Sequence, residues 1–110
     1  MAEHLIALCT VPDRKTAERI AERLVGQRLA ACVNILPGLT SVYRWQGEVQ
    51  RDNELLLVIK TQRACFNALE AAVHRLHPYE LPEIVAVPIV TGSRRYLAWI
   101  TENTGPDATT

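Results

Sequence analysis

The chain has 110 residues, 12 basic and 12 acidic side chains, a formal net charge of zero, and 48% apolar residues. That length suits one domain, and the apolar share fills a single core without covalent staples. Balanced charge without like-sign blocks excludes a large phosphate-neutralising surface, and no run nears the roughly 20 apolar residues of a membrane span, so neither nucleic acid nor membrane is an expected partner.

Leu5 to Val11 is a short apolar run stopped by Pro12, the pattern of a buried strand. Asp13 offers an N-cap to a helix whose apolar face is Ala17, Ile20, Ala21, Leu24 and Val25, with Gly26 near its end. Ala31 to Trp45 resumes strand character with a break at Pro37-Gly38. Gln46-Gly47 is a hairpin turn, and Glu54 to Lys60 is the return strand. A second helix spans about Gln62 to Leu76, with Phe66, Leu69, Val73 and Leu76 on its apolar face, and Pro78 forbids its continuation. Glu83 to Val90 is a further strand, placed at an edge by Pro88. Ser93 caps a last helix carrying Leu97, Trp99 as a core anchor, and Ile100. Residues 1–101 are thus expected to form one domain and 102–110 a flexible tail.

This order predicts an α+β, ferredoxin-like fold: split βαβ twice, a four-stranded antiparallel sheet with helices on one face, an extended hairpin and a C-terminal helix. One length does not suit a monomer. The 15 residues of Ala31–Trp45 reach roughly 50 Å as a strand, whereas a helix of that length covers only about 22 Å. The hairpin's outer half carries Val42, Tyr43 and Trp45 beside an open edge, so self-assembly is expected.

The topology also sorts the chemistry-bearing residues. Cys9, the hairpin tip and His77 fall at one end of the sheet; Cys32 and Cys65 fall toward the other. Three cysteines at wide spacing, with no Cys-x-x-Cys pair, argue against a disulfide framework or structural zinc. Met1 to His4 lack a signal peptide's basic stretch, and a reducing cytoplasm is the simplest location. A helix amino end near Cys9 is expected to favour thiolate, the form that binds soft metals, with His77 as a borderline ligand. The competing reading makes Cys9 a packed small hydrophobe and His77 a helix terminator with satisfied ring nitrogens. A Cys–His hydrolase lacks an evident orienting partner and oxyanion donors. A third possibility is a cleft for a small anion or nucleotide contacted by Tyr43, Lys60, Tyr79 and Glu80.

Several segments in order resemble the CutA family, the divalent-cation tolerance proteins: Cys9-Thr10-Val11-Pro12-Asp13, Leu29 to Gly38, Ser41 to Gly47, Ile59-Lys60-Thr61, His77 to Ile84, and Tyr96 to Ile100. The resemblance covers about Leu5 to Ile100. It implies a homotrimer, similar in architecture to the PII signalling proteins, and a cytoplasmic role in the response to metal ions, copper above all; with no catalytic set evident in the sequence, no enzymatic activity is expected. The family's proposed copper ligands map onto Cys9 and His77. Members with two adjacent histidines have the first where this chain has Leu76, so one donor is absent here.

Overall fold

A computed structural model describes residues 3–106. Its elements run β1 (His4–Val11), α1 (Arg14–Gly26), β2 (Cys32–Trp45), β3 (Glu48–Gln62), a 3-10 turn (Arg63–Cys65), α2 (Phe66–Leu76), β4 (Val85–Pro88) and α3 (Arg94–Glu102). The sheet order is β2-β3-β1-β4 with every neighbouring pair antiparallel, which is the ferredoxin-like arrangement expected from the element order.

Strand alternation gives the sheet two unlike faces. Ala7, Cys9 and Val11 of β1 and Leu57 and Ile59 of β3 point toward the helices, where they bury completely against Ala17, Ile20 and Leu24 of α1 and Leu69 and Val73 of α2. On the opposite face lie Leu36, Ile6, Leu8, Leu56, Val58, Val85 and Val87, all half-buried or exposed. An amphipathic α1 starts where Asp13 Oδ1 accepts the Thr16 N–H at 2.8 Å. It ends at Gly26, and the chain reverses through Arg28 in the left-handed region at φ 59°.

The hairpin is longer than the return strand anticipated from Glu54. β3 begins at Glu48, because the turn at Gln46 and Gly47 adopts φ values of 51° and 84° and pairing starts directly after it. A bulge interrupts the β2–β3 register between Leu36 and Leu39, at the Pro37-Gly38 break, with Gly38 at φ 87°. The fold extends 48 Å along its longest axis.

Three expectations change. The last strand is four residues rather than eight, since β4 pairs only with Leu5 to Leu8 of β1 and Ile84 lies outside the ladder. Trp99 is 40% exposed and stacks on Tyr96 at 5.4 Å, leaving Ile100 as the core residue of α3. Glu102 to Gly105, expected as tail, are tied down. Arg28 donates to the carbonyls of Glu102 and Gly105 at 2.7 Å each, and Gln62 Nε2 donates to the buried Thr104 Oγ1 at 2.7 Å. The remainder of that tail, 107–110, lies outside the described residues.

Leu57 sits where both helices meet the sheet, so Leu57→Ala is expected to cost about 2–5 kcal/mol through lost burial and a cavity. Urea unfolding checks it, with Glu22→Ala on the exposed side of α1 changing stability by less than about 0.5 kcal/mol.

Candidate functional site

The expected convergence begins with backbone geometry. β1 ends at Val11, one step beyond Thr10. At the same end of the sheet, α2 stops at Leu76 because Pro78 holds His77 extended at φ −84°, ψ 136°. Arg19 of α1 donates to the Leu76 carbonyl at 2.8 Å and fixes that helix end against its neighbour. The His77 ring is thereby buried over β1.

His77 Nδ1 accepts the Tyr79 N–H at 3.1 Å, which leaves the ring hydrogen on Nε2, and Nε2 donates to the Thr10 carbonyl at 2.8 Å. Cys9 is fully buried, and its Sγ lies 3.7 Å from the same carbonyl. The two sequence-predicted residues therefore meet at Thr10. Neither is open to an ion as it stands: the imidazole has both nitrogens bonded to backbone groups, and the protonated thiol is fully buried in the core. As arranged, the pair is not a ready metal site. Among the described residues no group of three or more His, Cys, Asp or Glu side chains is placed to hold an ion.

The electrostatics at Cys9 run opposite to the expected thiolate. Burial first, then the negative charges of Glu83 and Glu54, push its thiol from 9.0 up to about 12. The amino end of α1 does not offset this, because the Asp13 carboxylate already neutralises it by accepting from Thr16. That bond holds the Asp13 carboxyl below its usual value.

Beside the pair lies a cleft of about 700 Å³ between the hairpin and the 78–83 connection. Its wall includes Glu54, only 6% exposed, which accepts the Tyr79 hydroxyl at 2.9 Å on Oε2. Burial and this bond raise the Tyr79 pKa. Tyr43 donates its hydroxyl to Asp52 and also lines the cleft. The Tyr79 ring lies 4.7 Å from the His77 ring, so cleft and imidazole share a wall.

Of the four residues considered for a small anion, Tyr43, Tyr79 and Glu80 line this cleft. Lys60 does not: it pairs with Ile6 and Cys32 at the other end of the sheet and donates to Asn34. Cys32 and Cys65 are likewise remote from Cys9, as the topology required. Glu54 and Asp52 were missed as site residues. The signal available was their period-two phase with Leu56 and Val58, which carries a carboxylate into an otherwise apolar strand face.

The family model for the CutA1 divalent ion tolerance protein matches residues 5–103. The chain belongs to the CutA1 family. It is 59% identical over 100 residues to the divalent-cation tolerance protein CutA of Thermus thermophilus, covering 91% of this chain and 97% of that one. A solved structure of the Thermus protein superposes with a TM-score of 0.92, covering 93% and 99% of the two chains at 58% identity. The chloroplastic CutA of Arabidopsis thaliana is 44% identical over 91% of this chain, which spans only 55% of the plant protein. A structure described as the periplasmic divalent cation tolerance protein CutA of Archaeoglobus fulgidus has a TM-score of 0.88 at 38% identity, covering 91% and 97%. CutA1 relatives thus carry names from more than one compartment. No helix among the described residues of this member is long and apolar enough to cross a membrane.

The Cys9 environment predicts a distinctive alkaline limb. The thiol stays protonated in the folded state after the unfolded chain has released its proton. Stability from this group is therefore complete below about pH 9 and declines as pH rises toward about 12. Within that window the wild type is expected to lose about 1.4 kcal/mol per pH unit more than Cys9→Ala, read as the difference in slope of urea-derived stability against pH.

Proposed function

We propose that this CutA1-family chain acts as a cytoplasmic homotrimer in the response to and tolerance of divalent metal ions. In this reading it binds copper or another divalent cation weakly through Cys9 and His77 and catalyses no reaction. The observation that carries the metal reading is the meeting of Cys9 and His77 at the Thr10 carbonyl. Thiolate and imidazole form a donor pair for a soft or borderline ion. Each must surrender a proton or a backbone bond to serve, which makes the affinity low.

Assembly is supported by the second sheet face. Leu36, Val85 and Val87 are 44%, 52% and 48% exposed there, next to the half-buried Ile6, Leu8 and Val58. At the uncovered hairpin, Val42 and Val49 are 60% and 66% exposed. An apolar sheet face beside an open strand edge favours burial against further copies. The absence of catalysis is supported by the elevated thiol, since a nucleophilic cysteine works as thiolate. The free thiols Cys9, Cys32 and Cys65 support a reducing compartment such as the cytoplasm.

A PII-like small-ligand trimer is the second reading, and the size of the cleft favours it. Its expected anion chemistry fits poorly, because Lys60 lies elsewhere and the cleft carries carboxylates.

Calorimetric titration of copper and zinc into wild type, Cys9→Ser and His77→Ala checks the site. Either substitution is expected to weaken binding, and equal affinities for the three proteins reject the assignment. Light scattering is expected to give three times the 12.3 kDa chain mass.

A further inference from the structure

Glu54 is a buried carboxyl group with an unusual set of neighbours. One carboxylate oxygen takes the Tyr79 hydroxyl. Among the described residues, no Lys, Arg or His group stands within ion-pair distance of it. Buried carboxylates are ordinarily matched by a cation or by several donors, because the desolvation cost is otherwise large. Glu54 instead lines the cleft, opposite a void rather than a counter-charge.

The cleft's other walls have a consistent character. Tyr43, Trp45 and Tyr79 supply aromatic surface, and Glu80 and Glu83 add two exposed carboxylates. Arg44 is the one cationic side chain among the lining residues, and its guanidinium is turned back to the Gly47 carbonyl at 3.2 Å. The negative field reaches beyond the cleft, since Glu83 and Glu54 both act on Cys9.

We infer that this cleft binds a small organic polycation, a linear polyamine bearing separated ammonium groups. One ammonium group sits against Glu54, the chain lies across the aromatic rings, and a second ammonium meets Glu80 or Glu83. Anions are excluded by the three carboxylates. A bare metal ion is disfavoured because these carboxylates do not converge on a single point. An alkylammonium chain suits both wall types, since aromatic faces attract cations and also cover methylene groups. A cleft of about 700 Å³ lies within the range that small-molecule ligands occupy. The assignment is independent of the metal reading, because it uses neither Cys9 nor His77 as a ligand.

The test is calorimetric titration of spermidine into the native assembly treated with a metal chelator. A neutral chain of matching length, 1,8-octanediol, serves as control. Saturable binding of spermidine alone is expected. Glu54→Gln keeps an acceptor for Tyr79 but removes the charge, and is expected to weaken binding by about tenfold or more. The double variant Glu80→Gln/Glu83→Gln touches only exposed side chains, so its fold does not depend on them, and it is expected to weaken binding as well.

Three results overturn the inference: no saturable binding to the wild type, equal binding of octanediol, or undiminished affinity in both variants. A change of assembly mass in Glu54→Gln, with no amine binding by the wild type, overturns it too. That outcome makes a neighbouring copy the source of the counter-charge. Failure of copper or zinc to bind leaves the spermidine result unaffected, so the two readings fail separately.

Discussion

Everything in this fold hangs on β3, which is longer than the layer of helices that covers it. From Leu56 to Lys60 the strand is paired on both sides, to β1 and to β2. From Glu48 to Glu54 it has only β2 as a partner. The lower half is therefore a sheet centre, with Leu57 and Ile59 sealed under α1 and α2. The upper half is a two-stranded arm, and isolated two-stranded ribbons are marginal in water without further burial. The junction between these regimes falls at Glu54 and Leu55, opposite Val11. Cys9, Thr10, His77 and the cleft all gather around that junction.

The gathering has a simple cause. Where β1 ends, the sheet loses a strand, and the space beside β3 must be closed by something else. The proline-bracketed connection from His77 to Pro82 closes it, with His77 bonded to the last turn of strand backbone and Tyr79 bonded to Glu54. Two prolines in that stretch restrict its conformations, so the ring positions are set largely by backbone stiffness. His77 is accommodated here because it bonds strand backbone at Thr10, and Tyr79 because its hydroxyl meets the Glu54 carboxyl.

Much of the architecture was legible because its signals are local. Pro12 and Asp13, Gln46-Gly47, Pro78 and Ser93 each mark a boundary by a backbone preference that needs no tertiary knowledge. The convergence of Cys9 and His77 followed from topology alone. Their protonation and bonding did not, because those depend on what surrounds them. The helix amino end near Cys9 invites a thiolate until Asp13 is seen to occupy that end, and the burial of the thiol comes only from the packed core. Trp99 looked like a core anchor by size, yet the 3.6-residue phase gives the buried position of α3 to Ile100. Glu54 was hidden for a similar reason: a charged residue opening an apolar strand reads as the strand's solvated end. The cleft's character emerges only when the arm continues past that residue.

The bulge at Pro37-Gly38 acts as a phase shift in the alternation of β2. Before it, Cys32, Asn34 and Leu36 share a side with Val58 and Leu56; one extra residue later, the odd-numbered positions Leu39, Ser41, Tyr43 and Trp45 inherit that side. Without the extra residue the same sequence would turn Thr40, Val42 and Arg44 onto that side, opposite Asp52, Gln50 and Glu48. A guanidinium would then stand where aromatic rings stand now. A single backbone irregularity thus decides whether this side of the arm carries a cation near its tip or an aromatic wall leading down to Glu54.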